Sequence, residues 1–365
     1  MKIDVIRLFF RLYLKDKSVA NQGSQADMSQ VKNILIISNT AIGDTLFATS
    51  AIQLIKKHYP NKQIVALLNP KNYQLFENNP NIDEVITYSG KWRHFLSAVL
   101  DLKKHSIDLT FIMNSNEPQA TPLSYCIGSK YIVRIPNHNN EFNHLHLNTP
   151  ATRNYQLHTI NTRLRQLEYA GIHEQDYRMY LFPEKHWYES VLKIVKKERY
   201  TYIGMQIGAS TPSRMWRNSN WTSLANKILS LDSDIRVVLT GSRSEQKDTD
   251  IVEQEVASER LLNLAGKFDI CGAAALVDLL DLLITPDTGP LHVAGALQTP
   301  TIAISVAGTA SSANPINPNV PHIFIEKPKI CTPCIDKRCQ DAICMEQISV
   351  NEVYLETKKI LSIED

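Results

Sequence analysis

No run of residues in this chain is long and apolar enough to cross a bilayer. Charge of one sign is missing too. Thirty-nine Lys and Arg stand against 37 Asp and Glu, for a formal net charge of +2. A protein so balanced carries no broad positive field for nucleic acid, and must meet any anionic partner with local positive charge. No repeat of solenoid length is present. Cysteine is scarce, with six in 365 residues, and four of the six crowd into positions 331–344. The rest, 43% hydrophobic and 21% charged, is the composition of a soluble globular protein. A chain of 365 residues exceeds one ordinary core and suits two domains of moderate size.

The first seventeen residues mix Ile3, Val5, Ile6, Leu8, Phe9, Phe10, Leu12, Tyr13 and Leu14 with Lys2, Arg7, Arg11, Lys15 and Lys17. Arg7 and Arg11 interrupt the apolar run, which speaks against a cleaved signal peptide. Two readings stay open: a basic amphipathic helix on an anionic membrane surface, or a helix packed on its own domain. Residues 18–30 are polar and read as a linker, so 1–30 forms an N-terminal extension. The expected location is cytoplasmic, with peripheral contact with the inner membrane if the helix meets lipid.

From Asn33 onward, short apolar strands alternate with longer helical periods. Strands are expected at 33–39, 63–68, 84–88 and 108–113, with helices at 44–58, near 72–78, at 92–105 and at 159–170. The polar run 135–152, which holds His138, His144 and His146, reads as loop, with these histidines and His158 as surface residues. A second series follows Pro183, with helices at 184–197, 221–231, 245–256 and 272–280. Its strands fall at 202–207, 235–240, 261–264, 282–285 and 301–306. This rhythm implies parallel sheets covered by helices, hence an α/β fold of two doubly wound domains, 31–183 and 184–365. Domains of that kind bind ligands at the carboxyl ends of their strands, here in a cleft between the two.

Four segments carry chemistry. Pro286-Asp287-Thr288-Gly289-Pro290-Leu291-His292 lies where a strand turns into a helix. There a hydroxyl, a bare glycine and unpaired helical N–H groups can hold phosphate, and Asp287 can grip sugar hydroxyls. The plainer reading makes Asp287 a helix cap. Gly43-Asp44 follows the first strand, and a carboxylate exposed there could take the proton of an attacking alcohol, or merely cap its helix. In Gly208-Ala209-Ser210-Thr211-Pro212-Ser213-Arg214-Met215-Trp216, hydroxyls and a cation suit a diphosphate leaving group, while Trp216 reads as a buried anchor. Gly241-Ser242-Arg243-Ser244-Glu245 offers a carboxylate to two vicinal ribose hydroxyls, or to the dipole of its own helix.

Asp-Thr-Gly-Pro-x-His-x-Ala-x-Ala, beginning at Asp287, resembles the C-terminal signature of the ADP-heptose:lipopolysaccharide heptosyltransferases, glycosyltransferase family 9. The strand followed by Gly43-Asp44 resembles that family's N-terminal motif, whose Asp is the proposed catalytic base. Gly241 to Glu245 resembles its ribose-binding element, and Asn263-Leu264-Ala265-Gly266-Lys267 is a further echo expected at the adenosine end. Where the family usually has Lys-x-Trp followed by Pro, this chain has Arg214-Met215-Trp216-Arg217. The resemblance runs from about Asn33 to Leu361, and it implies the GT-B architecture.

It also implies an inverting glycosyltransferase that moves heptose from ADP-heptose to the lipopolysaccharide core. Asp44 would be the base, and Ser210, Thr211, Arg214, Glu245, Asp287, Thr288, Gly289 and His292 would hold the donor. No cofactor or metal is expected at the reacting centre, because Arg214 and the helix N-terminus can neutralise the diphosphate. Three alternatives stand beside this: a nucleotide-sugar epimerase of the same fold, a heptosyltransferase acting on autotransporter proteins, and an inactive glycan-binding paralogue. Cys331, Cys334, Cys339 and Cys344 are spaced either for a metal or as reduced or reversibly paired thiols. Cys126 and Cys271 read as core residues. Lys91, Arg93, Lys130, Arg163 and Arg165 read as a solvated surface, or as charge for an anionic acceptor.

Overall fold

The computed structural model describes residues 2–18, 22–115, 118–134, 140–148, 157–306, 310–335 and 338–363. His138 lies outside them. The chain divides into two compact units, Met1–Phe182 and Pro183–Asp365.

The first unit is built on β1 (Asn33–Ser38), β2 (Gln63–Leu68), β3 (Glu84–Thr87), β4 (Leu109–Asn114) and β5 (Tyr131–Arg134). All pair in parallel, in the order β3-β2-β1-β4-β5. β1 is apolar along almost its whole length, as a strand covered on both faces should be. Its helices are α1 (Lys2–Leu14), α2 (Ile42–His58), α3 (Phe95–Lys103), α4 (Ala120–Cys126) and α5 (Thr159–Leu164), the last running on as a 3-10 helix to Ala170.

The second unit holds α6 (Lys185–Tyr188), β6 (Thr201–Gln206), α7 (Asn218–Leu229), β7 (Ile235–Thr240), α8 (Gln246–Val256) and β8 (Leu261–Asn263). There follow α9 (Ile270–Asp278), β9 (Leu282–Pro286), α10 (Gly289–Leu297), β10 (Thr301–Ser305), α11 (Ala310–Ala313), β11 (His322–Glu326) and α12 (Val350–Ile360). The strand order is β11-β10-β9-β6-β7-β8, again all parallel. Each sheet therefore reverses direction once, between β1 and β4 and between β6 and β9. Open parallel sheets take ligands at such reversals, just beyond the strand ends.

Several expected elements take another form. The helix expected near 72–78 is one 3-10 turn, Tyr73–Leu75, because asparagine side chains bind nearby backbone instead. Asn69 Oδ1 accepts from Lys71 N, and Asn79 Oδ1 from Asn81 N, each at 3.0 Å. The helix expected over 184–197 survives as the single turn α6, followed by turns. Trp187, Val191 and Val195 keep their four-residue spacing and are buried, but β-branched residues lower helix propensity. The α4 and β5 elements lie where no strand or helix was anticipated, and β11 likewise.

The expectation of surface histidines fails at His146. It is buried with Leu145 and Leu147, and its Nε2 lies 3.0 Å from Thr121 Oγ1. Burial, helped by the charges of Arg134 and His144, pushes its pKa from 6.5 down to about 3. His144 is exposed as expected and bonds Leu14 O, while half-buried His158 accepts from Ile160 N at the start of α5.

A depressed histidine is neutral in the fold, while the unfolded chain takes up a proton below pH 6.5. Stability therefore falls as pH drops through that value, and His146 alone accounts for about 2 kcal/mol of the loss by pH 5. Urea denaturation at pH 7.5 and pH 5 should show His146→Gln losing less than the parent by about that amount. Equal losses would remove His146 from the acid sensitivity.

Candidate active site

In the second unit the reversal between β6 and β9 brings together the two loops that the motifs occupy. The loop after β6 runs through Gly208, Ser210 and Thr211 into a 3-10 turn, Pro212–Arg214. The loop after β9 is only Asp287 and Thr288 before α10 begins. Arg214 spans the gap. Its Nη1 donates to the backbone oxygen of Asp287 at 2.9 Å and lies 3.8 Å from that residue's Oδ2. Asp287 is buried, and its Oδ1 stands 3.9 Å from Nε2 of buried His292. A guanidinium, a carboxylate and an imidazole thus converge at the end of the strand layer.

Asp287 does not cap α10; Thr288 occupies that position, with extended backbone. The Thr288 hydroxyl bonds Pro286 O at 3.2 Å and stands equally close to that of Thr285. Gly289 opens the helix, and Pro290 has no N–H to leave unpaired. Thr211 Oγ1 is 3.1 Å from Ser213 Oγ, while Ser210 is exposed at the rim.

Glu245 is placed by a tight contact. A Cβ built on Gly208 would fall 1.7 Å from Glu245 Oε1 and 2.5 Å from its Cγ, so only glycine leaves room for this carboxylate. One carboxylate oxygen accepts from the backbone N–H and the hydroxyl of Ser242 at 2.6 and 2.7 Å. Gln206 Nε2 reaches the other at 3.4 Å. Glu245 therefore steadies the start of its own helix and also stands beside the loop after β6.

Trp216 is the buried anchor expected. It meets Trp221 edge-on at 5.1 Å and donates from Nε1 to Ile348 O at 3.1 Å. Arg217, where the family often has Pro, precedes α7 and pairs with Glu346 at 3.1 Å. A cavity of about 290 Å³ lies between these two segments, lined by Met215, Arg217, Gln340 and Asp341 among others. Glu346 and Ile348, just past Cys344, are thereby joined to the residues that follow Arg214.

The cysteines are not joined in disulfides. Cys344 Sγ accepts from Ile330 N at 3.4 Å, and Cys339 lies 2.9 Å from Asp341 O. Among the described residues, no group of three or more His, Cys, Asp or Glu is placed to hold a metal ion.

In the first unit the corresponding reversal displays Asp44. Helix α2 starts at Ile42 after Ala41, two residues earlier than expected, so Asp44 lies inside the first turn and does not cap it. Asn69 donates to Asn39 O at 3.0 Å and Asn72 to Thr40 O at 3.4 Å, fixing the turn that precedes the helix. Asp44 Oδ2 accepts from the Thr40 hydroxyl at 3.0 Å. Its Oδ1 accepts from Nη2 of Arg163 at 3.4 Å.

Arg163 is the residue that the sequence reading misplaced. It is 1% exposed, against 32% for Asp44, and is no part of a solvated face. Its Nη1 also donates to Thr159 O at 3.2 Å, and its guanidinium lies 5.9 Å from the Phe47 ring. The signal was present. Ile160, Arg163, Leu164 and Leu167 fall at i, i+3, i+4 and i+7, which puts the arginine on the buried stripe. Lys91, Arg93, Lys130 and Arg165 are exposed.

Gly208→Ala tests the tight contact directly. The new methyl must displace Glu245 from Ser242, at a cost of about 1 kcal/mol, the size of a lost helix cap. Chemical denaturation of the second unit's transition should show that loss, and an unchanged midpoint would contradict the packing described.

The model of glycosyltransferase family 9 (heptosyltransferase) matches residues 138–343, more than half of the chain. Lipopolysaccharide core heptosyltransferase OpsX of Haemophilus influenzae is 24% identical over 278 residues, 75% of this chain and 78% of its own. The solved family 9 glycosyl transferase of Veillonella parvula superposes with a TM-score of 0.75 at 18% identity, covering 91% of this chain and 98% of that one. The E. coli ADP-heptose lps heptosyltransferase II does so with a TM-score of 0.72 at 17% identity, covering 90% and 98%. The fold is GT-B, with two parallel-sheet, Rossmann-like domains. With both motif-bearing strand ends in place and the family match spanning the second of them, the chain belongs to glycosyltransferase family 9 and is a glycosyltransferase.

Proposed function

We propose that this protein transfers heptose from ADP-heptose to the core of lipopolysaccharide, with inversion at the anomeric carbon. The observation that carries this reading is the convergence of Arg214, Asp287 and His292 where the second sheet reverses. The names of the relatives supply the chemical class: OpsX is called a lipopolysaccharide core heptosyltransferase, and the E. coli neighbour an ADP-heptose enzyme.

The second unit binds the donor. Arg214 faces the diphosphate with Ser210, Thr211 and the Thr288–Gly289 opening of α10. As the bond from sugar to phosphate breaks, negative charge grows on the leaving oxygen. A guanidinium beside it then binds the transition state more tightly than the ground state. Asp287 accepts from sugar hydroxyls with His292 alongside, and Glu245 accepts from the ribose. This arrangement needs no metal ion or other cofactor, since fixed cationic and N–H groups meet the charge.

Asp44 of the first unit takes the proton of the attacking hydroxyl. A carboxylate has lone pairs to spare after accepting from Thr40 and Arg163, and those two contacts hold its plane while its partial exposure leaves it open to a substrate. One displacement without a covalent intermediate inverts the configuration. A lipid-anchored acceptor of this kind is met at the cytoplasmic face of the inner membrane, and the reading places the protein there.

Asp44→Ala should lower turnover about 10²- to 10⁴-fold, the usual worth of a general base, while calorimetry finds ADP-heptose affinity within about threefold of the parent. Loss of donor binding would assign Asp44 to the nucleotide site instead. Arg214→Ala should weaken donor binding and also cut turnover by about 10²-fold or more. Parent-like kinetics in that variant would take Arg214 out of the reaction.

A further inference from the structure

Helix α1 has two apolar faces, and the first unit uses only one. Phe10 and Leu14, one turn apart, are buried in the core of that unit. Phe10 stacks on Trp92 at 5.4 Å and contacts Phe95 at 5.1 Å. Arg7 pairs with Glu141 at 2.8 Å, and His144 bonds Leu14 O at 2.8 Å. The helix is therefore fixed to its domain in one orientation.

What it turns outward is a second stripe. Val5 is 64% exposed, Leu8 53%, Phe9 57%, Leu12 64% and Tyr13 50%. These positions follow i, i+3, i+4, i+7 and i+8, the spacing of one continuous helical face. Phe9 and Tyr13 stack face to face at 5.7 Å, forming an apolar ridge that meets the first unit where Tyr13 lies edge-on to Tyr125 at 6.5 Å. Helix α3, whose Phe95 meets Phe10, adds Leu96 at 75% and Leu100 at 65% exposure, again one turn apart. Isolated exposed apolar residues are ordinary, but seven on two adjoining helices make a patch of the kind that marks an interaction surface.

The charge around the stripe selects the partner. Arg11 and Lys15, four residues apart, carry on the row that Arg7 begins beside Glu141 and form a basic border along one side. Lys17, 5.7 Å from the Tyr13 ring, stands at the other. Residues 2–17 hold five cations and two carboxylates, in a chain whose total is only +2. Lysine and arginine beside an apolar face reach outward to phosphate headgroups while their stems lie along the acyl boundary. A second copy of the chain would bring like-charged borders together, which disfavours self-pairing. At 13 residues, about 20 Å long, α1 is too short to span a bilayer.

We infer that the outward face of α1, continued by Leu96 and Leu100 of α3, docks the protein in the plane of an anionic phospholipid surface. The inference rests on this face alone and is independent of which sugar is transferred.

The test is co-sedimentation of the full-length protein with vesicles of phosphatidylethanolamine and phosphatidylglycerol, against vesicles of phosphatidylcholine alone. Binding should favour the anionic vesicles at least fivefold and fall as salt is raised. The double variant Leu8→Glu, Leu12→Glu should lose it. Arg11→Glu with Lys15→Glu, which leaves the apolar face whole, should weaken it severalfold. Both pairs are exposed, so circular dichroism should stay that of the parent, and transfer to a delipidated, water-soluble acceptor should be unchanged. The inference fails if the parent ignores anionic vesicles or if the leucine variant still binds them. It fails equally if light scattering shows a dimer that the leucine substitutions dissolve, since the face would then be filled by a second copy. A protein that docks but transfers no heptose would overturn the functional reading and leave this one standing.

Discussion

Each half of this protein is governed by the place where a parallel sheet changes winding direction. Right-handed crossovers on either side of that reversal carry their helices to opposite faces. The chain therefore leaves the two central strands toward opposite faces, and a crevice opens beyond their ends that the following loops border. Chemistry-bearing residues gather there because few other positions at this edge are free of packing duties. In the second unit the loops after β6 and β9 meet there and are tied by the Arg214–Asp287 hydrogen bond. In the first unit the turn after β1 presents Asp44.

Around these points the scaffold does two kinds of work. It removes freedom from charged groups, as when buried Arg163 and the Thr40 hydroxyl hold the two oxygens of Asp44. It also leaves space by omission, as at Gly208, where the missing side chain admits the Glu245 carboxylate. The C-terminal segment takes part through Trp216 on Ile348 O and Arg217 on Glu346. The loop bearing Arg214 is thus held from the side by a part of the chain remote in sequence.

Much of this was legible in the chain itself. Fully buried parallel strands such as β1 and β9 announce themselves as short apolar runs, and the mixed run from Asp287 to His292 marks the turn from β9 into α10. Failures came where local pattern yields to tertiary context. Asparagine side chains replaced a helix near Tyr73 with turns, and α4 and β5 were masked by sparse polarity contrast. His146 looked like a polar loop residue, but Leu145 and Leu147 draw it inside. Arg163 reads as surface or acceptor-binding charge, although its spacing against Ile160, Leu164 and Leu167 gives the buried face away. The distinction between Asp44 as a cap and Asp44 inside the helix depends on where the first turn begins, which a sequence pattern resolves poorly.

The central claim is a single displacement at the anomeric carbon, driven by a carboxylate base and a leaving group held by fixed charge. The most direct measurement is the product's anomeric configuration, read by nuclear magnetic resonance after transfer from anomerically pure ADP-heptose to a delipidated core oligosaccharide. The account predicts the configuration opposite to that of the donor. A product that keeps the donor's configuration would require two displacements or a front-side attack, and would contradict it.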